Sequence, residues 1–194
     1  MLRGAAVLAA TVALAVPPAT PGAGSGHVFD GGTIAERQVV ASALEASAFD
    51  WSVVPGPITI HIVRGEPSRS IPHEIWLDAD LLDAGRFAWG VVQHEYAHQV
   101  DYLLLDDAQR ATLLARLGGR DWCHDVPGLA HSDYGCERFA STLAWSFWPS
   151  ADNSMKPTGP RDESAAMAPR KFRALVTRLT GAPARHTPGT SRTH

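Results

Sequence analysis

Residues 91–101, VVQHEYAHQVD, constrain the fold more than any other stretch of the chain. They place His94, Glu95 and His98 in an HExxH arrangement. Side chains four residues apart on an α-helix lie on the same face, one turn apart. Both imidazoles are therefore predicted to project from one side of one helix. Apolar residues on either side of the motif indicate a buried helix, predicted over residues 83–105.

Two imidazoles one turn apart are typical of a zinc site. Zinc accepts neutral imidazole nitrogens at roughly 2.0 to 2.1 Å, and a catalytic zinc takes three protein ligands and one water. Glu95 is turned by about 100° from His94 around the helix, so it is predicted to lie beside the metal as a general base. Two ordinary histidines on a core helix are the alternative. A chance match to the motif is expected only about 0.01 to 0.02 times in such a chain.

At these residues the chain resembles the zincin metallopeptidases. The resemblance covers roughly residues 58–148 and implies an active-site helix beneath a small twisted sheet. Metzincins carry Gly and His seven and ten residues after the first His of the motif. This chain has Asp101 and Leu104 there, which excludes that branch.

Glu137 is the predicted third metal ligand. It opens an apparent helix in which Ala140, Ser141 and Ala144 place small side chains on its own face. Small residues let two helices approach closely, as a short Glu side chain requires. The pattern resembles the gluzincin branch, in which a second helix supplies Glu, often followed by Ala three residues later. Ser141 departs from that branch, because well-known gluzincins carry Asp at this position.

Other residues nearby remain candidates for the third ligand: Asp133, His131 and His124. Of the whole group, only Glu137 has a helical setting. Tyr134 and His131 have a second candidate role, because a phenol or imidazole near the open metal position can donate a hydrogen bond to an oxyanion. Packing in a loop is the simpler alternative for both.

Asp101 lies on the same helical face as His94 and His98. Its carboxylate is a candidate to accept a hydrogen bond from a ligand imidazole and so fix its tautomer. It is also the obvious substitute for the Asp that Ser141 replaces. A solvated or helix-capping carboxylate is the alternative.

Cys123 and Cys136 are the chain's two cysteines, and they are predicted to form a disulfide. Such a bond tethers the preceding loop to the first turn of the Glu137 helix. Zinc ligation by the cysteines is the alternative.

Residues 1–26 are predicted to be a signal peptide and flexible N-terminus, because Arg3 precedes an apolar run and then small, turn-forming residues. A retained anchor is the alternative, although the run is short for a bilayer. The formal net charge is −3, and no basic patch indicates nucleic acid or an anionic membrane as a partner. A secreted monomer without stable membrane insertion is therefore expected, with a metallopeptidase domain over 27–181 and a disordered tail over 182–194.

Hydrophobic periodicity and capping signals predict the other elements. They are a capped helix over 33–51, strands over 58–63 and 73–82, and helices over 106–118, from Glu137 onward and over 164–180. In zincins, the strand before the active-site helix is typically an edge strand that binds an extended peptide through main-chain hydrogen bonds. A plain internal strand is the open alternative. The order of elements predicts an α+β fold, a minimal zincin-like domain with the sheet packed on the HExxH helix and further helices.

Together these features predict a secreted zinc-dependent peptidase that hydrolyses peptides or proteins. Zinc-bound water would be the nucleophile and Glu95 the general base. The alternative is a zinc-stabilised binding or structural protein on the same fold without significant turnover. An intact Glu95 favours the enzyme, because a purely structural site needs no base there.

Overall fold

The computed structural model of the chain describes residues 26–123 and 126–182. The predicted signal peptide, His124 and the predicted tail beyond residue 182 lie outside the described residues. Ala182 is the first residue of the predicted tail. It is 2% exposed and belongs to the hydrophobic core.

The described residues form six α-helices and a four-stranded sheet, which confirms the predicted α+β class. The strands are β1 (His27–Gly31), β2 (Ile58–Val63), β3 (Arg69–Ile71) and β4 (Glu74–Asp78). The helices are α1 (Ile34–Ala46), α2 (Ala79–Leu82), α3 (Ala88–Leu104), α4 (Asp107–Leu117), α5 (Gly135–Phe147) and α6 (Pro169–Thr180). Among the described residues, no helix combines the length and apolar character needed to cross a bilayer.

The sheet has the strand order β1-β2-β4-β3. β1, β2 and β4 run parallel, and β3 pairs antiparallel with β4 at one edge. Successive side chains of a strand point to opposite faces, so alternating apolar residues bury one face. Ile58, Ile60, Ile62, Ile75 and Leu77 are buried on this face and join the core. The predicted alternation in both strands is therefore confirmed.

The predicted strand 73–82 is shorter than expected and is not at the edge. β4 ends at Asp78, whose side chain accepts a hydrogen bond from the Asp80 amide and caps α2. β4 lies between β2 and β3, which confirms the internal-strand alternative. β3 lies at one edge of the sheet and β1 at the other, and β3 was not among the predicted strands. β1 was also missed.

Helix ends follow the capping signals closely. Thr33 and Glu36 form the predicted capping box of α1, with the Thr33 amide 2.6 Å from Glu36 Oε2. α1 ends at residue 46 rather than 51, and Asp50 caps a separate 3₁₀ turn. α4 ends as predicted at Gly118, which adopts the left-handed conformation with a φ of 77°. α3 and α6 are each shorter at the start than predicted, because a 3₁₀ turn precedes each of them.

α3 is the central helix of the fold, and all of its residues from 92 to 101 are buried. The polar side chains among them need partners, since an unpaired buried polar group is costly. Gln93 donates to the Ala43 carbonyl of α1 at 2.7 Å. α3 is therefore tied to α1 by a buried hydrogen bond as well as by apolar packing.

Gln99 ties α3 to the β3–β4 hairpin on its other side. Its side-chain amide donates to the carbonyls of Ile71 at 2.8 Å and Glu74 at 3.2 Å. Its Oε1 accepts from the amide of His73 at 2.8 Å. His73 has a φ of 67° in the tight turn after Pro72, a conformation that is unfavourable for a residue with a Cβ. Gln99 stabilises that turn and so fixes the edge strand against the helix.

We expect Gln99→Ala to lower the free energy of unfolding by about 1–3 kcal/mol, because the partly buried backbone groups of the hairpin lose their partners. Urea unfolding with the disulfide intact measures this change. Gln38→Ala is the matched control, since Gln38 is exposed on α1 and should change stability by less than about 0.5 kcal/mol. Equal effects of the two substitutions would contradict the role given to Gln99.

Candidate metal centre

α3 and α5 bring three predicted ligand atoms together. The Nε2 atoms of His94 and His98 lie 3.2 Å apart. Glu137 Oε2 lies 3.2 Å from the first and 3.4 Å from the second. His94 and His98 are 7% and 5% exposed, so the group lies below the surface. These three residues form a candidate metal-binding group.

The three separations are close to those of a tetrahedral site. Ligand atoms at 2.0 to 2.2 Å from a tetrahedral zinc are about 3.3 to 3.6 Å from one another. Two imidazole nitrogens and one carboxylate oxygen are also a donor set that zinc prefers. The fourth corner would remain for water or substrate. The residues therefore fit zinc in both donor type and spacing.

Glu137 Oε2 is a buried oxygen that no donor among the described residues satisfies with hydrogen-bond geometry. Burial alone would raise the pKa of Glu137, but the imidazoles of His94 and His98 outweigh it and lower the pKa far below its ordinary range. For His98 the two effects have opposite signs. Burial lowers its pKa, but Glu137 and more distant carboxylates outweigh burial and raise the pKa above its ordinary value. The group concentrates negative charge where a cation would lie.

The start of α5 is fixed by a disulfide and by backbone bonds. Cys123 and Cys136 form the predicted disulfide, with an S–S distance of 2.02 Å. The Cys136 amide donates to the Trp122 carbonyl at 2.8 Å. Glu137 follows directly, so its backbone position is set from outside the helix. The disulfide also removes both sulfurs as thiolate ligands.

Glu95 lies at the wall of a cleft of about 160 Å³ that also exposes His94, His98 and Glu137. Ser70 of β3 holds it there. The Ser70 hydroxyl lies 2.9 Å from Glu95 Oε2 and 2.8 Å from the Glu95 carbonyl oxygen. The edge strand and the predicted base are therefore in direct contact.

Tyr102 also lines the cleft, and the sequence analysis missed it. Its hydroxyl donates to the Ser70 carbonyl at 3.1 Å, and its ring stacks on His98 with centroids 6.0 Å apart. Burial and nearby carboxylates raise the pKa of Tyr102 to about 12, so it remains a donor at neutral pH. Its spacing, four residues after His98, was the signal that could have found it.

Of the three predicted site residues between α4 and α5, His131 lies in the cleft, and Asp133 and Tyr134 do not. His131 lines the cleft, with Nε2 3.2 Å from Glu137 Oε2. Asp133 lies 3.7 Å from Arg120 and is not in the ligand group. Tyr134 is not brought into the cleft, because its hydroxyl bonds to the backbone of Val126 at 3.2 Å.

Asp101 does not orient an imidazole directly, which corrects that expectation. Its carboxylate accepts from Arg110 Nε at 2.8 Å and from Trp122 Nε1 at 3.1 Å. His98 Nδ1 has no hydrogen-bond partner among the described residues. Asp101 is 1% exposed, so it is not a solvated carboxylate either. It joins α3 to α4 and to the loop before the disulfide.

Glu163 is a second residue that the sequence analysis missed. It lies in a 3₁₀ turn between α5 and α6. Its carboxylate oxygens contact His131 Nδ1 and the Ser141 hydroxyl, each at 2.7 Å. Burial raises the pKa of Glu163, but these two partners outweigh it and lower the pKa below its ordinary value. The Ser141 hydroxyl in turn lies 3.1 Å from His94 Nδ1.

Comparison with protein-family models, curated proteins and solved structures finds no match to this chain. The chemistry of the site must therefore be argued from its residues.

We expect Glu137→Ala to lower zinc affinity by orders of magnitude, because it removes a charged, directly bonded donor. Loss of an indirect partner typically costs only about 10- to 100-fold. Competition against a chelator of known affinity measures the difference. Asp133→Ala is the matched control and should keep stoichiometric zinc. Retained affinity in Glu137→Ala together with loss in Asp133→Ala would give the third ligand to Asp133.

Proposed function

We propose that this chain is a zinc-dependent metallopeptidase of zincin type, with His94, His98 and Glu137 as the zinc ligands. The mutual spacing of their three ligand atoms is the observation that carries the proposal. A carboxylate beside the ligands, Glu95, favours hydrolysis over a structural role. Structural zinc sites are closed by four protein ligands, whereas catalytic sites keep one position open.

Zinc, when bound, would polarise the scissile carbonyl and lower the pKa of a bound water toward about 7. Glu95 would then take the proton from that water and later give it to the leaving amine. Its carboxylate borders the cleft, and one of its oxygens is held by Ser70. A base held in this way needs little rearrangement before it reacts.

His131 is the residue we propose as a donor to the developing oxyanion. Its Nδ1 is bound to Glu163, and its Nε2 borders the cleft beside Glu137. The hydrogen bond to Glu163 raises the pKa of His131 although burial lowers it, so the imidazole carries its proton more readily than an ordinary histidine. A donor at this place would stabilise the tetrahedral intermediate. We do not propose Tyr134 as an oxyanion donor, because its hydroxyl bonds to the Val126 backbone outside the cleft.

β3 is the strand we propose for binding an extended peptide. It lies at a sheet edge beside the cleft, where an extended peptide could pair with the backbone groups that Gln99 and Tyr102 leave free. Ser70 and Tyr102 fix it against α3. The substrate-binding role predicted for residues 73–82 therefore moves to 69–71. Because β3 has three residues, it would pair with about three residues of a substrate.

We also infer that the protein acts outside the cytosol. The Cys123–Cys136 disulfide supports this location, because disulfides persist in oxidising compartments. The predicted export segment agrees with it.

Glu95→Gln should keep about one equivalent of zinc and lose peptide hydrolysis, because Gln preserves the shape but is not a base at neutral pH. Digestion of a diverse peptide pool, read by mass spectrometry, measures the loss. Glu45→Gln, an exposed residue of α1, is the matched control and should cleave as the wild type does. Full zinc loading with no cleavage by the wild type would favour the zinc-stabilised binding protein. Undiminished cleavage by Glu95→Gln would contradict the mechanism.

A further inference from the structure

Glu163 connects two imidazoles of the cleft through its two carboxylate oxygens. Oε1 contacts His131 Nδ1 directly at 2.7 Å. Oε2 contacts the Ser141 hydroxyl, which continues to His94 Nδ1 at 3.1 Å. We propose that Glu163 is the positioning residue of the metal centre, holding His94 through Ser141 so that its Nε2 faces the metal, and holding His131 directly so that its Nε2 faces the open cleft beside Glu137. This role rests on the metal site proposed above.

The available protons fix the direction of the first connection. An ionised carboxylate only accepts hydrogen bonds, so Ser141 must use its single hydroxyl proton toward Glu163. Ser141 then accepts from His94, which places the ring proton of His94 on Nδ1. The lone pair of His94 is therefore on Nε2, the atom that faces His98 and Glu137. A histidine in this tautomer is ready to bind a metal without moving a proton.

The second connection fixes a side chain that the fold otherwise leaves free. The His131 side chain is 68% exposed and lies in a short 3₁₀ turn. An exposed side chain loses rotamer freedom when it is ordered, so its position needs a partner. The bond to Glu163 supplies that partner and directs Nε2 to within 3.2 Å of Glu137 Oε2. Precise placement of this kind matters for catalysis.

Glu163 is itself held by its backbone and by the turn before it. Its carbonyl accepts from the Thr142 hydroxyl of α5 at 3.2 Å. The neighbouring Asp162 closes the preceding turn by accepting from the amides of Thr158 and Gly159. The carboxylate is therefore presented from a fixed segment rather than from a free loop.

Close packing against α3 holds the same segment further upstream. A Cβ added to Gly90 would lie 2.3 Å from Asn153 Oδ1 and 2.9 Å from the Ser154 amide. Only glycine therefore lets this stretch approach α3 so closely. Asn153 is 3% exposed and donates to the carbonyls of Ala144 and Trp148, at 3.1 and 2.8 Å. The chain between α5 and Glu163 is thus fixed to both ligand-bearing helices.

The test measures zinc affinity of the full-length protein by chelator competition, without relying on turnover. Glu163→Gln and Ser141→Ala should each weaken zinc binding by about 10- to 100-fold, the range for loss of a group that orients a ligand. Because the two residues act in series on His94, the double variant should lie within about threefold of the weaker single variant. If the fold-loss of zinc affinity in the double variant equals the product of the two single losses, Glu163 does not act on His94 through Ser141.

A rescue experiment separates positioning from general damage to the fold. Ser141→Asp added to Glu163→Gln puts a carboxylate directly beside His94, so it should restore zinc affinity. Peptide cleavage should stay low in that double variant, because His131 is still without its partner. Failure of Ser141→Asp to restore any affinity would overturn the role of Glu163.

Two controls complete the series. Asp162→Asn weakens the turn beside Glu163 but leaves the carboxylate contacts, so it should lower zinc affinity by less than Glu163→Gln does. Equal loss in Asp162→Asn and Glu163→Gln would assign the effect to the segment and overturn the proposal. Wild-type affinity in Glu163→Gln would also overturn it while leaving the metal site intact. If the wild type binds no zinc, the metal site itself fails and the role of Glu163 with it.

Discussion

The close approach of α3 and α5 is the contact on which the candidate site depends. Glu137 has a short side chain, and it meets the imidazoles of α3 only if the two helix backbones lie near each other. Ser141 and Ala144 share the face of Glu137, and both are buried. A large side chain at the fully buried Ala144 would push α5 away and remove the carboxylate oxygen from the ligand group.

The buried polar side chains of α3 need hydrogen-bond partners, and most of these partners come from other elements of the fold. The Gln93 side chain donates to a backbone carbonyl of α1, and Gln99 bonds to backbone groups of the β3–β4 hairpin. Asp101 is satisfied by Arg110 and Trp122. Glu137 Oε2, at the start of α5, is among the buried atoms that have no hydrogen bond in the described residues, and it lies between imidazole nitrogens of α3. An unsatisfied anionic oxygen at the meeting point of two histidines is what a cation site requires before it is filled.

The sequence predicted the local features of this fold better than the long-range ones. Helix caps such as Thr33 with Glu36 and Gly118 depend on neighbouring residues, and the disulfide depends on a unique pair of cysteines. The spacing of His94 and His98 predicted their common face for the same reason.

Several of the missed features depend on contacts that a pattern along one segment does not show. Strand β3 is only three residues long and carries no alternating apolar pattern, so only its pairing with β4 defines it. Ser141 stands where gluzincins carry an Asp, so another carboxylate was expected to orient the histidines. Asp101, on the same helix as His94 and His98, was the predicted one. The structure instead brings Glu163 to Ser141 from a segment 22 residues later in the chain. Spacing along one helix cannot reveal such a partner, because the turn that presents it has no periodic pattern.

Anomalous diffraction from zinc-loaded crystals, recorded on both sides of the zinc absorption edge, tests the central claim most directly. The account predicts one zinc peak, bound by Nε2 of His94 and His98 at about 2.0–2.1 Å and by a Glu137 oxygen at about 2.0–2.2 Å. A main peak elsewhere would contradict it, for example beside His61, whose ring nitrogens contact Asp30 and Glu74 on the outer sheet face. So would the absence of any zinc peak between α3 and α5.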